Sequence, residues 1–251
     1  MSTSADVMLT RAIYRSLLTA ARSLGREHLR LRLPVSESKA QWLRGSQQYG
    51  FVPACVSARD IFPHLSADAT DVLEPEALRD VIRSEFRRAL EKPNLDQGIT
   101  ALKGLHAQLA LAKRSSAVVT EHPETGAAVC IEATSEYITR DGPMYVFQYR
   151  IRVSNVGSVP VQIVGRGWDI RNNDGSNHAT VPRGSPGVVG QTPRLQPGGD
   201  AFEYASGTTF ATPGGTIEGT LQCVSLPDGE EQNSFDATVG RFVCLIEDAG
   251  S

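Results

Sequence analysis

Between Tyr145 and Val224 short apolar runs alternate with turn-forming residues, and this pattern constrains the fold more than any other feature of the sequence. In the first run, Ile151 and Val153 alternate with arginine and serine, and Val146 and Tyr149 lie among polar neighbours. A period of two is typical of a strand with one dry face and one wet face. The run therefore predicts a β-strand.

Turn signals follow each apolar run. Residues 155–158 predict a turn, residues 159–164 form a second apolar run, and Trp168 and Ile170 continue its buried face. Residues 172–175, Asn-Asn-Asp-Gly, carry a strong hairpin signal. Short strands at this spacing, with no helical pattern between them, predict an all-β sandwich or barrel that ends in a strand near residues 235–246.

Several blocks of this half occur in a characteristic order. They are residues 149–155, 161–163 before Arg166 and Trp168, 187–190, Pro193 with Leu195 and Pro197-Gly198, 202–204 with Ser206, and Thr212-Pro213 ahead of Gly219. Together they resemble the ApaG domain, a β-sandwich of the immunoglobulin or fibronectin type III kind. The resemblance implies motif positions at Arg166, Trp168, Gly187, Gly190 and Pro193. It also implies metal-ion tolerance without a settled chemistry in bacterial members, and a protein-binding module in eukaryotic members.

The two halves of the chain differ in charge. Residues 1–117 carry 17 Lys or Arg and 12 Asp or Glu, and residues 118–251 carry 8 and 16, so the halves have net charges of +5 and −8. A basic half with helical periodicity beside an acidic half with strand periodicity predicts two folding units. We therefore expect a helical domain at 1–117 and a sandwich at 118–251, joined by a short link, in an α+β chain.

The first helix is predicted from Ser4–Asp6 to about Leu31, with Tyr14 and Leu18 beside its apolar stripe and its arginines toward water. The residues of that stripe are Leu9, Ile13, Leu17, Ala20, Ala21 and Leu24. A later helix has a second buried set, Ile99, Leu102, Leu105, Leu109 and Ala112. Residues 33–73 form a long connection, with a short helical pattern at 38–48, to which no role is assigned.

Residues 13–18, Ile-Tyr-Arg-Ser-Leu-Leu, and residues 82–88, Ile-Arg-Ser-Glu-Phe-Arg-Arg, resemble the LYR family of mitochondrial helical proteins, with Ile in place of the first Leu. The resemblance implies that the helices bind acyl carrier protein and admit its acyl-4′-phosphopantetheine into the bundle. The residues expected to bind the carrier are Tyr14, Arg15, Arg22, Arg83, Phe86 and Arg87, with Arg88 beside them. The alternative is that these arginines form an ordinary solvated face.

The Arg-rich, acid-poor start is typical of an organellar transit peptide and equally of a basic surface helix. With the LYR resemblance it favours the mitochondrial matrix, with the cytoplasm or a plastid as alternatives. The four cysteines are scattered without metal-ligand spacing, so free and mostly buried thiols are expected, with no metal site. No apolar run reaches the roughly 20 residues of a membrane-spanning helix.

Residues 184–190 carry three glycines, but a dinucleotide fingerprint needs a following helix, and prolines follow instead. Turn geometry is the expected role of these glycines, with weak anion binding left open. His178 is predicted in a loop tip near Asp174, Asp169 is predicted to face outward, and Trp168 to face the core. No catalytic motif is found, so enzymatic activity and an intrinsic cofactor are not expected.

The sequence therefore predicts a non-enzymatic mitochondrial assembly or accessory protein. Its helical half would bind acyl carrier protein, and its sandwich would bind a large complex such as a respiratory complex or the mitoribosome. The alternative is a substrate adaptor in which the sandwich recognises a client and the helices are only a scaffold. A nucleotide-binding sandwich is a third and weaker option.

Overall fold

The computed structural model describes residues 4–26, 33–34, 62, 72–73, 75–89, 95–226 and 233–246. The chain divides into two compact units, Met1–Lys113 and Arg114–Ser251. The expected helical pattern at 38–48 lies outside the described residues, as does Cys55.

Three helices make up the described part of the first unit: α1 (Ser4–Arg26), α2 (Pro75–Ala89) and α3 (Leu95–Lys113). Pro75 opens α2, where its fixed φ suits the first helical position and its missing N–H costs no hydrogen bond. Two short strands, β1 (Leu33–Pro34) and β2 (Val72–Leu73), pair antiparallel. None of the described helices is both long and apolar enough to cross a bilayer.

The core of the helical unit lies where α1 meets α2 and α3. Its buried members are Ile13, Leu17, Ala20, Ala21, Phe62, Leu78, Ile82, Ala101 and Leu105. Two residues of the predicted stripes are instead exposed, Leu9 at 46% and Ile99 at 38%. Leu9 lies one turn before the first buried residue of α1. Ile99 follows Gly98, whose missing side chain lets Ile13 approach, so Ile99 points away from that contact.

The described part of the second unit, residues 114–226 and 233–246, contains nine antiparallel strands in two sheets. They are β3 (Ser116–His122), β4 (Ala127–Asp141), β5 (Met144–Asn155), β6 (Val161–Asn172), β7 (Asn177–Pro186), β8 (Arg194–Leu195), β9 (Phe202–Phe210), β10 (Gly214–Ser225) and β11 (Ser234–Leu245). One sheet has the order β3-β4-β5-β9, and the other has β11-β10-β6-β7 with β8 also pairing with β6. The predicted β-sandwich is confirmed.

The inner face of β5 corrects one residue of the predicted strand. Phe147, Tyr149, Ile151 and Val153 are buried, whereas Val146 is half-buried. Adjacent residues of a strand point to opposite faces. Counting back from Tyr149 in steps of two places Phe147 on the inner face and Val146 on the outer face.

Strand β6 changes the face that it buries part-way along. Val161 and Ile163 face the core, and the register with β10 then shifts, since Ile163 pairs with Cys223 but Gly165 pairs with the preceding residue of β10. Val164 is therefore the extra residue of a β-bulge. Beyond it the even-numbered residues, Arg166, Trp168 and Ile170, take the inward positions, and Trp168 and Ile170 are buried.

The two sheets meet along the edges of β3 and β11. Ser116 Oγ donates to the carbonyl of Gly240 at 2.7 Å, and the N–H of Thr238 donates to Thr120 Oγ1 at 2.9 Å. On the opposite side the sheets end in β7 and β9. The sandwich is thus closed along one side by side-chain hydrogen bonds.

Candidate functional site

The glycine loop (residues 184–193) lies at the end of β7 and leads into β8. Gly184, Gly187 and Gly190 have φ values of 87°, 57° and 74°. At Gly187 a Cβ atom would clash with the carbonyl oxygen of Gln191, so the turn is too tight for any side chain there. Val188 is fully buried and exchanges backbone hydrogen bonds of 2.7 and 2.9 Å with Gln191. The loop is therefore anchored in the core by Val188.

Arg166 fixes the base of the glycine loop. Its Nη1 donates to the carbonyls of Pro186 at 2.8 Å and Gly187 at 2.7 Å. The N–H of Gly187 donates to the carbonyl of Val164, and the carbonyl of Pro193 accepts from Ile163. A charged donor on two carbonyls holds a loop more firmly than a neutral one. The bulge in β6 makes this possible because it turns Arg166 toward the loop.

Val189 lies at the tip of this loop with a φ of 49°, between a buried anchor and an exposed glycine. A β-branched residue at positive φ is a true conformational outlier, and such strain concentrates at functional positions. The Val189 side chain is 51% exposed. The loop thus presents one apolar side chain in a fixed and unfavourable conformation.

Two phenols lie near Arg166 inside the sandwich. Burial raises the pKa of both Tyr149 and Tyr204, and the Arg166 charge opposes the rise in each. A hydrogen bond to Ser206 also lowers the pKa of Tyr149. The Tyr204 hydroxyl is buried and has no hydrogen-bond partner among the described residues. Both phenols therefore stay neutral at physiological pH, and neither is activated as a base or nucleophile.

The charged residues at one end of the β4-β5-β9 face are paired with one another. Arg150 contacts Glu203 at 2.9 Å, and Arg152 contacts Glu132 at 3.2 Å and Glu203 at 3.4 Å. Burial raises the pKa of the Glu203 carboxyl, against the two arginines that lower it. These ion pairs join neighbouring strands, so stabilisation of the sheet is enough to explain why these charged residues lie there.

His178 and Asp174, to which the sequence assigns no catalytic role, lie at the hairpin between β6 and β7. His178 lies in β7 with its ring 5.1 Å from that of Phe210, so the prediction of a loop tip is wrong: the strand begins at Asn177. Asp174 accepts from the N–H and the Oγ of Ser176, which lowers its pKa and closes the hairpin turn. Within the described ranges, no group of three or more His, Cys, Asp or Glu side chains is placed to hold a metal ion.

In the helical unit, the two sequence blocks that carry the predicted carrier-binding residues lie side by side. The rings of Tyr14 and Phe86 are 4.8 Å apart. The arginines beside them, Arg15 and Arg87, are exposed, as are Arg22 and Arg83. Arg83 also forms an exposed ion pair of 2.9 Å with Asp80 on its own helix. The structure thus brings the predicted aromatic pair into contact, with arginines on the surface around it.

The sandwich geometry can be compared with known proteins. Residues 135–225 match the family model of the ApaG domain. Protein ApaG of Dechloromonas aromatica is 43% identical over 99 residues, which are 39% of this chain and 72% of that protein. Protein ApaG of Bordetella pertussis is 37% identical over 130 residues, which are 50% of this chain and 93% of that protein. The chain belongs to the ApaG family.

The crystal structure of the putative ApaA protein from Bordetella pertussis is similar at 35% identity with a TM-score of 0.43, over 49% of this chain and 97% of that one. All five motif positions of the ApaG resemblance lie inside the family match. Arg166 and Gly187 are in contact at the base of the glycine loop, and Pro193 at the end of the loop accepts from Ile163 of β6. Gly190 lies beside the tip of the loop, and Trp168 packs separately against Tyr149. The match leaves residues 1–134 outside it, so the LYR resemblance stays a prediction.

Two site residues were missed by the sequence reasoning as members of the site. Tyr204 belongs to one of the blocks that carry the ApaG resemblance, but nothing in the sequence indicates that its hydroxyl lacks a partner among the described residues. Val189 lies between Val188 and Gly190 in a stretch where glycines recur every third residue. That spacing indicates turn geometry at the glycines. Nothing in the sequence indicates that Val189, which is not a glycine, also has a positive φ.

Proposed function

We propose that this ApaG-family chain is a non-enzymatic binding protein in which the sandwich recognises a protein partner through the glycine loop. The exposed and strained Val189 carries this proposal. Because Arg166 and Val188 already hold the loop, little conformational entropy is lost when a partner covers its tip. An apolar side chain on a rigid tip suits an apolar pocket on another protein.

The test of the loop compares two exposed valines of the same unit in the full-length protein. Val189→Asp places a charge at the tip, and Val119→Asp places the same charge on β3, where the valine is 52% exposed. Partners captured from cells are identified by mass spectrometry, and the affinity of the most enriched one is then measured. We expect Val189→Asp to weaken that affinity by about tenfold or more and Val119→Asp to leave it unchanged. If both variants bound the partner with equal affinity, the proposal that the glycine loop is the binding site would be rejected.

For the helical unit we propose docking of acyl carrier protein, in agreement with the LYR resemblance. The contact between Tyr14 and Phe86 supports it, because it joins two sequence blocks that the resemblance requires to act together. Arg15, Arg22 and Arg87 are exposed and suit an acidic helix with its phosphopantetheine phosphate. Because the two rings are in contact, an acyl chain that enters between them must separate Tyr14 from Phe86. The free energy gained by burying the acyl chain, about 0.8 kcal/mol per CH₂, would offset the cost of separating the two rings.

The carrier is tested by purification from cells followed by intact mass measurement. Under the proposal a small acidic protein bearing acyl-4′-phosphopantetheine is retained by the wild type and lost by Arg15→Glu/Arg87→Glu. The matched control is Lys103→Glu/Lys113→Glu, which changes the charge equally at two exposed residues of α3. Retention by both double variants would show that the docking face is wrongly placed.

The finer proposal places the protein in the mitochondrial matrix, between acyl carrier protein and a large complex such as a respiratory complex or the mitoribosome. The alternative function is a substrate adaptor in which the helices are only a scaffold. It is favoured if no carrier is found while capture of a partner still depends on Val189. Cross-linking in isolated mitochondria would identify the client.

A further inference from the structure

Apart from the two-residue strand β8, the described sandwich has four edge strands, and three of them are protected against pairing with other chains. An exposed edge offers unpaired N–H and C=O groups to any extended segment, so folded proteins cover or distort it. β3 and β11 cover each other through Ser116, Thr120 and their partners on β11. β7 contains Pro182 and Pro186, and its pairing with β6 shifts register twice. Proline and bulges are standard protection of an edge.

Strand β9 has none of these devices. Its nine residues, Phe202–Phe210, pair with β5 in one unbroken register. It contains no proline, and residues 118–251 contain no lysine. Its one charged side chain, Glu203, is engaged by Arg150. Among the described residues the other side of β9 meets no strand, and Gly207 and Thr209 are exposed.

We propose that β9 pairs antiparallel with β9 of a second copy of this chain, about a two-fold axis that passes through Ser206. The order of residues in β9 is self-complementary in that register. Phe202 then lies opposite Phe210 of the second copy, Glu203 opposite Thr209, Tyr204 opposite Thr208, and Ala205 opposite Gly207. No like charges face each other. A two-fold axis uses the same patch on both copies, as most homodimers do.

The pairing would join the two four-stranded sheets into one continuous sheet. Nine facing residue pairs give about eight to ten backbone hydrogen bonds between antiparallel strands. The net charge of −8 on residues 118–251 of each copy opposes association at long range. Salt screens such repulsion, so the dimer should tighten as ionic strength rises. An association held together mainly by surface ion pairs would weaken instead.

The test uses opposite charges at one exposed position. Thr209 lies opposite Glu203 of the second copy, so Thr209→Glu creates two repulsive pairs per dimer and Thr209→Lys creates two attractive ones. Facing charge pairs contribute a few tenths of a kcal/mol to 1 kcal/mol each, which for two pairs corresponds to about two- to thirtyfold in the dimer dissociation constant. Analytical ultracentrifugation of the full chain measures that constant for wild type and both variants.

The expected result is a concentration-dependent dimer that Thr209→Glu weakens and Thr209→Lys strengthens. Circular dichroism checks that both variants fold, and hydrogen exchange should show β9 amides more protected at high protein concentration. A wild-type chain that stays monomeric up to about 0.5 mM would overturn the proposal. So would a dimer that responds equally to both charges, since its interface then lies elsewhere. Neither outcome bears on Val189 or on the carrier.

Discussion

The sandwich and the helical unit are stabilised by different kinds of side chain. The sandwich buries three phenylalanines completely, Phe147, Phe210 and Phe242, and most of its described ion pairs connect different strands. The helical core is mostly aliphatic, with three alanines and Phe62 as its one buried phenylalanine among the described residues, and the arginines around Tyr14 and Phe86 face water. A core of interlocked rings resists any opening, whereas helices joined through small residues separate at lower cost. We therefore expect the sandwich to keep one shape and the helical unit to open more readily.

The largest expected effects are the losses of stability when one core side chain of each unit is truncated. Phe147→Ala should lower the free energy of unfolding by about 4 kcal/mol, and Ile82→Ala, in an equally buried position of α2, by about 3 kcal/mol. Urea denaturation followed by circular dichroism measures both, with Val119→Ala as the exposed control. If Ile82→Ala cost more than Phe147→Ala, the view of the sandwich as the more tightly packed unit would be wrong.

The next effect concerns the base of the glycine loop. Arg166→Ala removes the donor to Pro186 and Gly187 and should cost about 2 kcal/mol, because two carbonyls lose a charged partner. Arg166→Lys should recover part of this loss, and Arg194→Ala, at an exposed position on β8, should cost little. Limited proteolysis should cut the Arg166→Ala protein within residues 184–193. Resistance equal to that of the wild type would mean that Val188 and the backbone hydrogen bonds of the loop hold it without Arg166.

Alkaline pH should destabilise the sandwich. Burial raises the pKa of Cys223 and Cys244 to about 12 in each case. A folded pKa above the unfolded one gives stability that is complete below the unfolded value, near 8.5, and is lost as pH rises toward 12. Each thiol should therefore reduce the unfolding free energy by about 1 kcal/mol per pH unit between pH 9 and 11.

Urea midpoints across that range test the thiol effect. The Cys223→Ala/Cys244→Ala variant serves as control and should show a flatter alkaline limb. If the unfolding free energy of this variant fell with pH as steeply as that of the wild type, the loss of stability at alkaline pH would come from other groups. The first candidates are Tyr149 and Tyr204, whose pKa values burial also raises.

The smallest effect separates strain from recognition at the loop tip. Asn tolerates the left-handed conformation better than a β-branched residue, so Val189→Asn should raise stability by about 0.5 to 1 kcal/mol while it weakens partner binding. Thermal unfolding measures the first and the captured partner's affinity the second. A loss of both would mean that Val189 contributes packing to the loop itself.

Much of the fold could be predicted from local pattern. Alternation in β5, the Asn-Asn-Asp-Gly turn and the burial of Trp168 all depend on period and turn chemistry, which are properties of short segments. The errors came from positions where a neighbour decides the outcome. Leu9 and Ile99 fit helical spacing, but their exposure depends on where the partner helices lie, and α3 contacts Ile13 through Gly98.

The candidate site was less predictable than the fold. The ApaG resemblance named Arg166, Gly187 and Pro193, but it did not give their contacts. A period of two counted back from Trp168 places Arg166 on the same face, but the bulge at Val164 is defined by a pairing with β10, some 60 residues away, and no local pattern indicates it. The same reasoning explains why His178 was assigned to a loop: the start of β7 depends on its pairing with β6.

Because of the bulge at Val164, the odd-numbered residues of β6 face the core before it and the even-numbered residues face the core after it. A one-residue deletion there would swing Arg166 out to water, push Trp168 out of its pocket of rings and leave the carbonyls of Pro186 and Gly187 without their donor. The spacing between Ile163 and Arg166 therefore matters to the glycine loop as much as the identity of either residue, and a change in the length of β6 should cost more stability than a single substitution on its outward face.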